Sequence, residues 1–233
     1  MTSLKYMGSK RRIVKEILPI MLKDRNGRAF YDLFVGGGNV IEKVDGLRFA
    51  NDNNEYLIEL FKYMQNSEFE LPFVGEEMYM EIKNNKGNYP KWLVAYAGFQ
   101  LSFGSVWFST YRRDKVGKRD YESEARRNLE KQTHLIRDVS FTCTSYENVE
   151  ILPNSILYCD IPYKDTTKYP SSKWFDYDKF YDWCRRMSNL GHDVYVSEYS
   201  MPDDFQCLWQ KEIVSSLTPE NNGKKGIEKL FHI

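Results

Sequence analysis

None of the four cysteines, Cys143, Cys159, Cys184 and Cys207, stands in a C-x-x-C pair. Neither a zinc site nor a disulfide frame is therefore expected. Cys143 and Cys159 fall in strand-like runs, where a buried thiol behaves as a small hydrophobe, and a reducing cytoplasm is the default compartment. The three histidines, His134, His192 and His232, form no ligand pattern. No apolar run is long enough to span a bilayer, and the first six residues lack the apolar stretch of a signal peptide. Formal net charge is zero, which argues neither for nor against a nucleic-acid partner. What is present is ordinary for a globular protein: 42% hydrophobic and 28% charged residues in 233. That length suits one α/β domain with an insertion, or two small domains.

The charges are unevenly placed. Lys5, Lys10, Arg11, Arg12 and Lys15 crowd the start, and Arg112, Arg113, Lys115, Lys118 and Arg119 crowd a second segment, opposed by Asp114. Such runs are solvated faces unless a partner meets them. Residues 12–22 have helical spacing. Residues 29–35 read as a strand running into Gly36-Gly37-Gly38, and Asn39 is placed to cap a short helix through Val40, Ile41 and Val44. Residues 47–50 read as a second strand, ending in Asn51-Asp52-Asn53-Asn54, and Leu57 to Met64 come next at helical spacing. From 66 to 137 the alternation is lost and aromatic and basic residues mix. A mostly helical insertion is expected there, closed by a helix over 119–135. Strand-type runs return at 139–144, 148–152 and 155–159. Residues 180–189 read as a helix, 193–197 as a strand, and 208–215 with 228–233 as a closing antiparallel pair. Strands alternating with helices predict an α/β fold interrupted by an inserted module.

Three stretches carry chemistry. Asp160-Ile161-Pro162-Tyr163 comes directly after a buried strand, and ligands of open α/β sheets bind beyond the carboxyl ends of strands. There a carboxylate and the Ile161 carbonyl can accept two N–H bonds from a flat amino-bearing ring, with Pro162 stiffening the backbone and Tyr163 offering a stacking face. The same four residues also suit a turn. Leu33-Phe34-Val35-Gly36-Gly37-Gly38 is a strand feeding a glycine turn, and Asp52 at the end of the next strand is placed to meet ribose hydroxyls. The full dinucleotide fingerprint and a Walker lysine are both missing, so an adenosine-bearing cofactor without a phosphate chain fits best. Tyr6-Met7-Gly8-Ser9-Lys10 combines a ring, a glycine and a cation able to hold a carboxylate.

In this order the stretches resemble the DNA adenine-N6 methyltransferase (Dam-like) family in its alpha motif order. That family runs from K-W/Y-x-G-x-K through F-x-G-x-G and an acidic cofactor loop to an inserted recognition module and then D-P-P-Y. Here these are Lys5-Tyr6-Met7-Gly8-Ser9-Lys10, Phe34-Val35-Gly36-Gly37-Gly38, Asn51-Asp52-Asn53-Asn54, residues 66–137, and Asp160-Ile161-Pro162-Tyr163. Cys143-Thr144-Ser145-Tyr146 is similar to the segment upstream of the tetrad, and Val196-Ser197-Glu198-Tyr199 to the later strand end near the target base. Ile161 replaces the usual proline; the role implied for that position is a backbone carbonyl, which any residue supplies.

The resemblance implies a SAM-dependent methyltransferase fold, a Rossmann-like mixed sheet with helices on both faces. Residues 1–65 and 138–233 would form the catalytic domain and 66–137 a target-recognition subdomain. It implies methyl transfer from S-adenosylmethionine (SAM) to the exocyclic amine of an adenine flipped out of double-stranded DNA, with Asp160, Ile161, Pro162 and Tyr163 as catalytic residues. Expected cofactor contacts are Tyr6, Met7, Gly8, Lys10, Phe34, Val35, Gly36, Gly38, Asp52, Asn53, Tyr146 and Asp160. Expected DNA contacts are Tyr111, Arg112, Arg113, Lys115, Lys118, Arg119, Ser197 and Tyr199, with Lys164 and Lys168 as further candidates. No metal or membrane is expected, the expected state is a monomer or weak dimer, and a companion restriction endonuclease is an expected partner. Cytosine-N4 transfer and a SAM- or DNA-binding module without turnover stay open as alternatives. A nicotinamide dehydrogenase has only the glycine turn in its favour.

Overall fold

A computed structural model describes residues 4–6, 8–114, 116–164, 175–214 and 225–233. Seven strands form one sheet in the order β3-β2-β1-β4-β5-β7-β6. They are β1 (Phe30–Asp32), β2 (Arg48–Asn51), β3 (Ser140–Thr142), β4 (Ile156–Asp160), β5 (Asp193–Glu198), β6 (Gln206–Val214) and β7 (Lys225–His232). The first five run parallel, and β7 pairs antiparallel with both β5 and β6. From β1 the chain passes to β2 on one side, while β4 lies on the other. The switch point therefore opens a crevice beyond the carboxyl ends of β1 and β4, where ligands of such sheets bind.

Side chains alternate across a strand, and here the alternation divides two cores. Ile156 and Tyr158 of β4 join Phe30, Ala50 and Tyr195 on one face. Leu157 and Cys159 join Tyr31, Val194 and Val196 on the other. The first face is covered by α1 (Val14–Met21), α2 (Glu55–Met64) and the helices between α2 and β3. The second is covered by α6 (Tyr177–Asn189) through Phe180, Tyr181, Trp183 and Cys184. Helices thus lie on both faces, as expected.

The segment between α2 and β3 is mainly helical: α3 (Glu76–Asn84), α4 (Lys91–Ala95) continuing as a π-helical turn (Tyr96–Gln100), and α5 (Tyr121–Ile136). Asp120 starts α5 by accepting from the Ser123 N–H at 3.0 Å, as Asn54 starts α2 and Asp176 starts α6. The apolar stripe of α5 is Ala125, Leu129 and Ile136, which pack into the same core as the sheet. Residues 101–112 fold back on themselves through a Ser102–Tyr111 bridge.

Three local expectations fail. Asn39 caps nothing: the turn after it is a 3-10 helix (Ile41–Lys43) entered at Val40, and the Asn39 side chain instead accepts from Arg11 Nε at 3.4 Å. Residues 148–152 form no strand, because the stretch pairs with no neighbour and leads out of a 3-10 turn (Tyr146–Asn148). Cys143 is exposed just past the end of the short β3, whereas Cys159 is buried as expected. The antiparallel β6–β7 pair forms as expected, with a register shift between Cys207 and Trp209.

Candidate active site

At the end of β1 the chain turns sharply, and Gly36 (φ +46°) and Gly38 (φ +72°) adopt left-handed backbone that glycine tolerates without strain. Gly37 is held by space instead. A Cβ there would sit 2.8 Å from the Leu4 carbonyl oxygen and 2.8 Å from Asn39 Nδ2. The missing side chain lets the N-terminal segment lie directly on the turn, with the Tyr6 ring over Gly36 and against Phe99 at 5.2 Å between centroids. Asp52, one residue past β2, ties the turn to its own loop. Its carboxylate accepts from the Gly36 N–H at 3.1 Å and the Asn54 N–H at 2.9 Å. Asn51 staples the strand ends, donating to the Leu33 and Thr144 carbonyls and accepting from the Thr142 hydroxyl and Thr144 N–H.

Across the crevice, β4 delivers Asp160. Alternation sends the Asp160 carboxylate toward the first face and the Ile161 side chain into the second core, where it is 2% exposed. Lys10 Nζ lies 2.8 Å from Asp160 Oδ1 and 3.7 Å from Glu228 Oε2. It also stands 4.6 Å from the centroid of the Tyr163 ring. The Tyr163 hydroxyl donates to Glu228, and its ring meets Tyr199 at 4.4 Å. The Pro162 carbonyl accepts from the Tyr177 hydroxyl at 2.8 Å, fixing the tetrad's backbone to α6. Glu198, at the end of β5, accepts from the backbone N–H groups of Lys164 and Tyr199. The N-terminal lysine, buried, and the β4 carboxylate, half-buried, are 150 residues apart in the chain and thus form an ion pair beside an aromatic wall.

The electrostatics are those of an acidic crevice. Asp32, the last residue of β1, is 2% exposed and its Oδ1 has no partner among the described residues. Burial pushes its carboxyl well above the usual range, and the charges of Asp160 and Asp52 push it further. Burial also raises Asp52, against the backbone N–H bonds that lower it. Asp160 is pushed up to about 6 by burial, against the pull of Lys10. Burial alone would lower Lys10, but Asp160 and Glu228 together raise it, so it holds its proton. Three carboxylates, from β1, the residue after β2, and β4, therefore lie near the carboxyl ends of the parallel strands, with Lys10 as the cation paired to Asp160. A ligand with positive charge and hydroxyl donors would satisfy them, and the orphaned Asp32 oxygen fits the ammonium and sulfonium charges of SAM.

Other expected site residues fall in different places. Phe34 is half-buried and Tyr146 is 9% exposed, and the two rings meet at 5.5 Å above Phe180. Val35 is buried, while Gly8 and Asn53 are exposed. Ser197 is wholly buried, its hydroxyl paired with that of Tyr158 at 2.8 Å, so a molecule docking on the surface does not reach it. Tyr111 is anchored inward, donating to the Val74 carbonyl at 3.1 Å. The Arg112 guanidinium stacks 3.8 Å over the Tyr121 ring, Arg113 pairs with Glu76, and Lys118 and Arg119 are exposed. Lys164 stands next to the tetrad and is exposed. Met7, Lys115 and Lys168 lie outside the described residues.

Reading the sequence missed Asp32, Glu198 and Glu228 as members of the crevice. Asp32 had a signal, an acid inside an otherwise apolar strand directly before the glycines. Glu228 had none, because only the antiparallel return of β7 brings it to Lys10 and Tyr163.

Residues 6–92 match the family described as D12 class N6 adenine-specific DNA methyltransferase, a span holding the N-terminal segment, the glycine turn and the Asp52 loop. The chain is 27% identical over 192 residues to Modification methylase StsI of Streptococcus sanguinis, an overlap of 70% of this chain and 29% of that protein. It is 27% identical over 194 residues to Type II methyltransferase M.FokI of Planomicrobium okeanokoites, again 70% and 29%. The chain thus spans under a third of the length of these relatives. A looser overlap, TM-score 0.42 at 13% identity, covers 96% of this chain and 52% of the crystal structure of SMU.472 complexed with SAH. Across residues 6–92 the chain is thus similar to the D12 class N6 adenine-specific DNA methyltransferase family.

Proposed function

We propose that this protein transfers a methyl group from SAM to the N6 amine of an adenine turned out of double-stranded DNA. The observation that carries the reading is the placement of Asp160 at the carboxyl end of β4, at the switch point, in one acidic crevice with Asp32 and Asp52. SAM, when bound, supplies a methyl group on a sulfonium that leaves readily. Tyr6, Gly8, Lys10 and the turn through Phe34, Val35, Gly36 and Gly38 would hold it, with Asp52 on the ribose hydroxyls, Asn53 and Tyr146 near the adenine end, and Asp32 on the ammonium. Met7 belongs to the same set by its motif.

The chain's own work is to make a poor nucleophile react. The lone pair of an adenine amine is spread into the ring. Asp160 and the Ile161 carbonyl accept its two N–H groups and draw the nitrogen toward tetrahedral geometry. A SAM held there would supply the methyl carbon to that nitrogen and would keep the electron pair of its broken C–S bond on sulfur. The nitrogen then sheds one proton, which Asp160 is placed to accept. Fixed acceptors stabilise the positive charge growing on nitrogen, and alignment supplies much of the remaining acceleration. Pro162 and Tyr177 hold the tetrad rigid, and Tyr163 with Tyr199 walls the base.

Residues 66–137 serve as the DNA-reading subdomain, with residues 1–65 and 138–233 as the catalytic domain. Arg112, Arg113, Lys115, Lys118 and Arg119 are its candidate contacts, and Tyr199 meets the DNA from the catalytic side. The names of the two relatives support a place in a modification system, with a companion restriction endonuclease as partner and a monomer or weak dimer as the working state. The test is transfer of a tritiated methyl group to DNA, with nucleoside analysis of the product. N6-methyladenine is expected. N4-methylcytosine as the product, or no incorporation across DNA of varied sequence, would overturn the proposal.

A further inference from the structure

Two buried glutamines of the inserted segment grip the N-terminal segment that reaches the crevice. Gln100 ends the π-helical turn and is 1% exposed; Gln132 lies on α5 and is 0% exposed. The Gln100 amide makes a two-point bond to one residue. Its Oε1 accepts from the Lys5 N–H at 2.9 Å, and its Nε2 donates to the Lys5 carbonyl at 3.0 Å. The Gln132 Oε1 accepts from the Leu4 N–H at 2.7 Å, while its Nε2 donates to the Gly37 carbonyl and to Glu42, both at 3.0 Å. The Lys5 ammonium adds an ion pair to Glu124 of α5 at 2.7 Å. A strand neighbour would normally satisfy these backbone groups, and here amide side chains replace it. Buried backbone donors left unpaired are destabilising, so the path of residues 4–6 depends on these two side chains.

The course of residues 4–6 fixes where Tyr6 and Lys10 stand. Tyr6 rides over Gly36 and packs on Phe99 of the same π-helical turn, and Lys10 reaches Asp160. The inserted segment therefore sets one wall of the crevice without reaching into it. We propose that Gln100 and Gln132 are positioning residues for the cofactor pocket, so that the segment assigned to DNA reading also builds the SAM site. This rests on the function proposed above.

The test uses the full chain with Gln100→Met and Gln132→Met, which keep volume and remove the bonds. SAM affinity is measured by titration calorimetry, DNA affinity by fluorescence anisotropy, and exposure of residues 4–6 by amide hydrogen exchange. Each variant is expected to exchange faster at residues 4–6, to bind SAM at least tenfold more weakly, and to bind DNA within twofold of wild type. KM for SAM should rise while kcat at saturating SAM stays within threefold, a split that general destabilisation does not produce. Should either Met variant fail to fold, Gln100→Glu carries the test, since it keeps the acceptor for Lys5 N–H and loses the donor; a threefold or larger loss of SAM affinity is expected. SAM affinity within twofold of wild type, or SAM and DNA affinity falling together, would overturn the inference. A wild-type protein that bound no SAM would overturn the proposed function as well, which tells the two failures apart.

Discussion

Asp160 and Ile161 are neighbours whose side chains point to opposite faces of the sheet, and their substitutions should separate accordingly. Asp160→Ala removes the acceptor and should lower single-turnover methylation by about a thousandfold or more, with the folded state retained. Ile161→Pro keeps the backbone carbonyl and should preserve or raise turnover. It also withdraws a side chain that is 2% exposed from the second core, so chemical denaturation should show a loss of about 1–2 kcal/mol. Asp32 makes a different kind of prediction. Its pKa is raised by burial and by neighbouring carboxylates, so a cationic ligand that needs the carboxylate displaces the proton held there below that raised pKa. Binding of SAM should release protons, and affinity should rise with pH up to the raised pKa. Calorimetry in buffers of different ionisation enthalpy measures the release, and Asp32→Asn should abolish it.

At the scale of elements, the carboxyl ends of the parallel strands gather charge that folding has to bury. Glu198 closes β5 at 1% exposure and is pushed up to about 7 from 4.5, first by burial and then by the nearby Asp160 charge, against two backbone N–H bonds. The folded state thus holds the proton more tightly than the unfolded chain. The stability this confers is complete below pH 4.5 and is lost as pH rises through 7. Thermal unfolding monitored from about pH 4 to about pH 8 should show a stability loss over that window. Glu198→Gln should flatten it while costing one of the two acceptors at every pH.

For the whole molecule, net charge is zero, so the proposed attraction to DNA would have to come from where the cations stand. In the inserted segment Arg112 is stacked on Tyr121 and Arg113 is paired with Glu76, while Lys118 and Arg119 are exposed. If those two meet phosphates, the plot of log affinity against log salt should flatten by about one unit for each one changed to alanine. Anisotropy titrations at several salt concentrations measure the slope. Among the described residues no helix is long and apolar enough to cross a membrane.

Periodicity determined most of the elements by itself. The apolar runs of β4 and β5, buried on both faces, and the helical spacing in α1, α2, α5 and α6 reflect which residues must leave water, and that demand is written locally. The glycine turn, Asp52 and the tetrad were legible because backbone conformation and strand ends leave local marks. Only the tertiary structure decided who meets whom. Nothing near Lys10 in the chain points to Asp160, nothing near Lys5 points to Gln100, and Glu228 enters the crevice solely because β7 runs antiparallel beside β5. Ser197 and Tyr111 were read from their motif and segment as outward-facing, but strand register buries one and a hydrogen bond to Val74 anchors the other. Local free energy fixes what each stretch of chain becomes, whereas pairing between distant groups is set by how strands are ordered and which backbone donors remain to be satisfied once they are.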